Sequence, residues 1–254
     1  MINNNVFSLE GKLALITGGG TGIGYGIAKA FTEAGAKVII TARREDVLQK
    51  AVSSLGKNVL YRVNDVTDLT SLPGLVENIE AEVGAINILV NNAGLNQKKD
   101  TLTVSDQEFQ NILQVNLNAV FALTRECAIK MKTRGEGVIL LISSMTAYYG
   151  LDRVLAYSAS KSAIRGMVMP LAQDLSPLGI RVNAIAPGFI DSPMFRKAME
   201  GDQKRLQKVL DRTPVRTLGL PQDIGRAAVF LVSDAATFIT GVCLPVDGGN
   251  SIGF

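Results

Sequence analysis

Tyr157 and Lys161 stand four residues apart in "YSASK", one turn apart on a single helix face. A phenol carries protons poorly at neutral pH, because its ordinary pKa is about 10. A lysine ammonium held beside it favours the phenolate and lowers that value. The pair therefore reads as a proton donor and acceptor for an alcohol or a carbonyl. Ser144 lies just past the apolar run "GVILLIS", thirteen residues before the tyrosine. Its hydroxyl can hold a substrate oxygen while the phenol gives or takes the proton. Asn116 sits mid-helix in the apolar "LQVNLNAV", where an amide needs a reason. Each residue alone also has an ordinary reading: a strand-end turn, a half-exposed helix face, a satisfied core amide. The 254 residues contain no histidine, which excludes a Ser-His-Asp triad, a Cys-His pair and nearly all zinc chemistry. Proton transfer is left to Tyr, Lys, Asp, Glu or Cys.

Positioning such a set requires a regular scaffold, and the hydrophobic pattern supplies one. Strands are expected at 12–17, 36–41, 58–63, 86–90, 137–143, 180–185 and 241–246. They are continuously apolar rather than alternating, as strands covered on both faces should be. Helical patterns fill the gaps at about 22–34, 44–55, 68–83, 105–133, 155–176 and 222–233. Ser105 and Glu108 have the spacing of a capping box, and Pro221 suits a first helical turn. Repeated strand–helix–strand units imply an α/β fold, one doubly wound parallel sheet with helices on both faces. No linker or repeat interrupts it, so residues 1–254 read as one domain.

"LITGGGTGIG" follows the first strand and opens the first helix. Gly18, Gly22 and Gly24 allow a tight turn and close approach of backbone to a pyrophosphate, and the helix start offers free N–H groups. A Gly-rich loop between a strand and a helix is the context that a dinucleotide site demands. Further on, "VIITARRED" puts Arg43 and Arg44 at the end of the second strand, where guanidinium groups suit a phosphate.

Taken together, Thr17–Gly24 "TGGGTGIG", "NNAG" at 91–94, Asn116, Ser144, "YSASK", "PG" at 187–188 and "VDGG" at 246–249 are similar to the motifs of the short-chain dehydrogenase/reductase family, in the same order. The resemblance implies a Rossmann domain with a seven-stranded sheet, a nicotinamide coenzyme and a homotetramer. By the same resemblance, Thr21 and Ile23 join the three glycines on the coenzyme, and Asn92, Ala93 and Gly94 line its middle. Asp65, with Val66, meets the adenine. Pro187, Gly188, Ile190 and Ser192 clamp the nicotinamide amide, while Tyr157 and Lys161 touch the coenzyme as well as the substrate. Asn116 would hold a water on the proton path to Lys161. Ser143 is set aside, because the family spacing to the tyrosine is thirteen residues. Ala42 occupies the place of the acid that NAD-preferring members use, so Arg43 and Arg44 imply NADP rather than NAD, although the glycine loop lacks the second basic residue of many NADP-dependent members.

The substrate is legible only as a class, a secondary alcohol or ketone. The sequence looks most like gluconate-type sugar-acid dehydrogenases; 3-oxoacyl-carrier-protein reductases are the alternative, and a non-catalytic NADP-binding sensor or scaffold is the alternative of another class. Gln173 stands where carrier-protein reductases tend to have Arg, while Lys130, Lys132 and Arg134 form a basic helix end. Pro170 falls inside the catalytic helix, where it should cost about 3 kcal/mol or kink the helix.

Between Pro193 and Pro221 the chain is polar and basic and reads as a cover over the site, at about 193–220. Arg196, Lys197, Lys204, Arg205, Lys208, Arg212 and Arg216 outnumber Glu200, Asp202 and Asp211 there, which reads either as a field that attracts an anionic substrate or as the solvated basic face of an amphipathic helix. The net charge of +3 and the scattered cations give no nucleic-acid footprint. Two cysteines inside apolar runs, an N-terminus without a leader pattern and no membrane-spanning run imply a cytoplasmic location.

Overall fold

The computed structural model describes residues 5–253; Met1–Asn4, the start of the stretch read for a leader, and Phe254 lie outside it. Seven parallel strands form one sheet: β1 (Leu13–Thr17), β2 (Lys37–Ala42), β3 (Val59–Val63), β4 (Ile88–Asn91), β5 (Gly137–Ile142), β6 (Ile180–Pro187) and β7 (Cys243–Val246). Their order is β3-β2-β1-β4-β5-β6-β7. The chain reverses its direction of growth between β1 and β4, and a crevice opens there beyond the strand ends.

The continuous apolar runs are explained by burial on both sides. Ile16, Ile40, Val90 and Leu140 pack under α1 (Gly22–Glu33), α2 (Glu45–Leu55) and α9 (Pro221–Val232). Leu15, Ile39, Leu89 and Leu141 face α3 (Leu72–Glu82), α5 (Ala119–Arg134) and α6 (Leu155–Leu175) on the other side. Helices α1 and α9 cross at glycine. A Cβ on Gly26 would lie 2.4 Å from the Pro221 carbonyl oxygen, and one on Gly225 2.5 Å from that of Gly26.

Several expected boundaries shift for local reasons. Helix α3 begins at Leu72 rather than 68, because Asp68 folds a turn by accepting from the Thr70 amide and hydroxyl. The pattern over 105–133 resolves into α4 (Asp106–Leu113), a wide π turn over Gln114–Asn118, and α5. The capping box is present: Ser105 Oγ accepts from Glu108 N at 3.2 Å, and Glu108 accepts from Ser105 N at 2.8 Å. Helix α6 runs unbroken through Pro170. The residue four before it is Gly166, with open space about its Cα. The cover folds as α7 (Pro193–Met199) and α8 (Gln203–Arg212).

Candidate active site

A cavity of about 360 Å³ runs along the carboxyl ends of the strands. Its floor begins where β1 turns into α1. Gly18 and Gly22 have φ of +66° and +55°, which L side chains rarely adopt. A Cβ on Gly24 would sit 2.4 Å from both the Gly18 carbonyl oxygen and Asn92 Nδ2. That closeness exists because Asn92 Nδ2 donates to the Thr17 carbonyl at 2.8 Å, while Thr17 Oγ1 accepts from the Asn92 and Ala93 amides at 3.0 Å each. Thr17, which the sequence reading passed over, thus joins the loops after β1 and β4. Thr21 caps α1 without a side-chain bond, so the first amides of that helix remain open to an anion.

At the end of β2, Arg43 lines the cavity with its guanidinium 3.8 Å from the Asp65 carboxylate. Asp65 in turn accepts from the Thr67 amide and hydroxyl, and the amide bond is the main reason its carboxyl lies below the usual range. Arg44 is not on the cavity; it caps the start of α2 and points to solvent. Thr41 Oγ1 and Asn64 Oδ1 are buried beside the cavity with no protein partner. Two positive-φ glycines, an uncapped helix start, an arginine and two unpartnered polar atoms fit a dinucleotide phosphate and its ribose.

The chemical end is built from β5 and α6. Ser144 and Tyr157 line the cavity, and Lys161 is 4 % exposed at its floor. Lys161 Nζ donates to the Ile142 carbonyl at 2.7 Å and lies 5.7 Å from the Tyr157 ring centre. Ser143, which had been set aside, donates to the Lys161 carbonyl at 2.9 Å and so pins α6 to β5. The expected lowering of the phenol by its lysine does not emerge from the geometry of the pair. Burial pushes Tyr157 up, and the hydrogen bond from Ser144 draws it back only in part. Burial also lowers the Lys161 ammonium to about 8, which weakens the field it can exert.

A stability effect follows from that lysine. Its folded value of about 8 lies below the ordinary 10.5, so between these pH values the unfolded chain binds the proton and the folded chain releases it. Stability from this group is depressed below pH 8 and recovers as pH rises. Urea denaturation should show Lys161→Met gaining on the natural protein at pH 7, with the difference shifting by about 3 kcal/mol as pH approaches 10.5. A pH-independent difference would place the ammonium in a solvated setting.

Asn116 is fully buried in the π turn and off the cavity. Its Oδ1 accepts from Leu95 N at 2.8 Å; its Nδ2 donates to the Leu95 carbonyl at 2.9 Å and to Ser160 Oγ at 3.0 Å. Both amide hydrogens are therefore occupied in tying the loop after β4 to the helix of Tyr157. A Cβ on Gly94 would lie 3.3 Å from Asn116 Oδ1 and 3.6 Å from Lys161 Nζ, so the three meet at one point.

Beyond β6, Pro187, Gly188, Ile190 and Ser192 all line the cavity, as do Ile23, Val66, Ala93 and Gly94. Ile190 bridges to Gly219 through its neighbours: Gly219 N donates to the Phe189 carbonyl and Asp191 N to the Gly219 carbonyl. That bridge leaves the amide and carbonyl of Ile190 itself unused. Ser192 caps α7 by accepting from Phe195 N at 3.2 Å. The remaining wall includes Thr146, Leu151 and Val154, which the sequence reading did not name, and Met194, Phe195, Ala198 and Arg205 from the expected cover.

A glycine cradle at the switch point of a parallel sheet, leading to a serine, a tyrosine and a buried lysine, defines a dinucleotide-dependent oxidoreductase. The chain belongs to the short-chain dehydrogenase/reductase family. A family model described as enoyl-(acyl carrier protein) reductase matches residues 18–251. A 2-dehydro-3-deoxy-D-gluconate 5-dehydrogenase of Dickeya dadantii is 37% identical over 249 residues, 96% of this chain and 97% of that one. The 3-oxoacyl-(acyl-carrier-protein) reductase of Escherichia coli is 38% identical over 242 residues, covering 95% and 98%. A gluconate 5-dehydrogenase from Burkholderia cenocepacia, solved in complex with NADP and tartrate, superposes with a TM-score of 0.92 at 33% identity over 98% of each chain. Among the described residues no helix is long and apolar enough to cross a membrane, and no acidic, cysteine or histidine cluster could hold a metal.

Proposed function

We propose that this protein interconverts a secondary alcohol and a ketone with NADP as coenzyme, on a sugar acid of the gluconate type. The observation that carries the reading is the opening of Ser144, Tyr157 and Lys161 into the same cavity as the glycine cradle and Arg43. The bound nicotinamide supplies the hydride acceptor or donor. Ser144 holds the substrate oxygen, and Tyr157 gives it a proton in reduction and takes one in oxidation. Lys161 holds the phenol's surroundings positive, and Asn116 fixes the spacing between the loop at Leu95 and α6. Any water on the proton path would have to meet the Asn116 backbone or the spare lone pair of Oδ1, since both amide hydrogens are occupied.

Arg43 supports NADP; Asp65 and Val66 serve the adenine, and Ile190 and Ser192 the nicotinamide amide. Residues 1–254 act as one catalytic domain covered by about 193–220. The carrier-protein alternative loses one of its cations, because Arg134 is bound to Glu80 at 2.9 Å and to the Ile86 carbonyl at 2.9 Å. Exposed Phe121 and Ile129 on α5 and Leu155 and Met169 on α6 favour self-association, with a tetramer as the expected form. The free thiols of Cys127 and Cys243 accord with a cytoplasmic setting.

The test is coenzyme turnover in both directions across pH. A phenol pushed above 10 stays protonated at neutral pH, so ketone reduction should be flat from pH 6 to 7.5. Alcohol oxidation needs the phenolate, and its kcat/KM should climb close to tenfold per pH unit over the same range. Offering 5-oxo-D-gluconate beside a 3-oxoacyl thioester separates the two substrate readings. Absence of NADPH consumption with every ketone would leave the non-catalytic alternative.

A further inference from the structure

We propose that Arg205 is the substrate-reading residue of this site, anchoring a carboxylate on the substrate while Ser144 and Tyr157 hold its ketone. The inference rests on the oxidoreductase reading above and adds the charge of the substrate and the residue that selects it. Of the seven cations in the cover, Arg205 is the one on the cavity wall. The others are engaged or face away. Arg196 makes a two-pronged contact with Asp191 at 2.7 and 2.9 Å, and Arg216 lies 3.6 Å from Asp211. Arg212 stacks on Tyr149 at 4.1 Å and donates to the Asn250 carbonyl. Lys197, Lys204 and Lys208 are exposed and off the cavity.

Among the described residues the Arg205 guanidinium has no hydrogen-bonded partner and no carboxylate within ion-pair distance, although it is half-buried. The acid its charge acts on is Asp202, whose carboxylate accepts from the Arg205 backbone amide at 3.1 Å and is already matched by Lys98 at 3.1 Å. The charged groups lining the cavity are Arg43, Asp65, Lys161 and Arg205. Asp65 sits against Arg43 at the far end, so no carboxylate opposes Arg205 at the chemical end. A planar guanidinium with free donors suits a carboxylate bidentately. Met194, Phe195, Ala198 and Val154 line the same cavity, and their apolar side chains strengthen such a contact. A substrate without a negative group would leave the guanidinium half-desolvated and unpaired.

The experiment uses the oxohexanoates with the ketone at the second to fifth carbon, each beside its methyl ester. Two quantities are read: kcat/KM with NADPH, and calorimetric affinity for the complex of the enzyme with NADP. The natural protein should prefer one acid of the ladder over its ester by about ten- to a hundredfold, the worth of a charge-assisted hydrogen bond. That preference should appear in KM rather than kcat and shrink as salt rises. In Arg205→Gln it should fall to near one with NADPH affinity unchanged, and Arg205→Lys should restore part of it. Equal treatment of acid and ester by the natural protein overturns the proposal, whatever the variants do. Weaker NADPH binding by Arg205→Gln overturns it too, by giving the residue to the coenzyme. Acids that bind through Arg205 without any NADPH being consumed would instead sink the oxidoreductase reading and leave the anchor standing.

Discussion

Tyr157→Phe is expected to lower turnover by about a hundred- to ten-thousandfold while NADPH affinity stays within twofold. The variant loses one oxygen from a ring whose remaining atoms hold its place beside Lys161, so the fold and the coenzyme cradle are not at stake. The loss has to be large because nothing nearby can stand in. The chain has no imidazole, and the Lys161 ammonium is engaged by the Ile142 carbonyl. Ser144, proposed above to hold the substrate oxygen, lacks a base to relay a proton. Stopped assays with 5-oxo-D-gluconate, paired with a fluorescence titration of NADPH, separate the two effects. Retention of more than about a third of the rate would remove Tyr157 from the acid–base role.

The second large effect concerns the coenzyme. Arg43→Ala should weaken NADP by about 1.5–3 kcal/mol and leave NAD almost unchanged. The guanidinium is exposed and the carboxylate paired with it, Asp65, is 3.8 Å away, so it is free to turn to a 2′-phosphate. Removing it also leaves Asp65 unopposed beside that phosphate, which adds to the loss for NADP alone. Introducing a carboxylate by Ala42→Asp should go further and reverse the preference. Calorimetric titration of both coenzymes against both variants decides the matter: equal losses for NADP and NAD would mean that Arg43 does not read the phosphate.

The glycine cradle and the Ser-Tyr-Lys set were readable because each depends on spacing along one or two adjoining elements. Strand β1, the loop and α1 follow one another in the chain, and Tyr157 and Lys161 share a helix. What the sequence left hidden depends on depth and on contacts between distant segments. Arg43 and Arg44 are neighbours, yet only the first faces the cavity, since the second has already turned to start α2. The phenol of Tyr157 rises rather than falls because burial acts on both members of the pair, and burial is a property of the folded wall. The basic excess of the cover was visible as a sum, but Asp191 and Asp211 cancel part of it through contacts that counting cannot assign. Ser143 was dismissed by spacing and proved to be the pin between α6 and β5.

The wide turn at Gln114–Asn118 makes this site sensitive to a change in chain length as well as to a change of side chain. An ordinary helix advances about 100° per residue. Ile112, Asn116 and Val120 are all buried at intervals of four, a rhythm that overshoots an ordinary turn by about 40° each time. The extra residue held in the π turn absorbs that overshoot. Deleting Gln114, Val115, Leu117 or Asn118 would let the segment rewind into a regular helix. Asn116 would then swing off its bearing towards Leu95 and Ser160, or else the inward face of α5 would rotate out of the core. The distance between the loop at Leu95 and the helix of Tyr157 is in this sense set by a count of residues, and a frame-preserving deletion of one codon in this segment should be as damaging to the active site as replacing Asn116 outright.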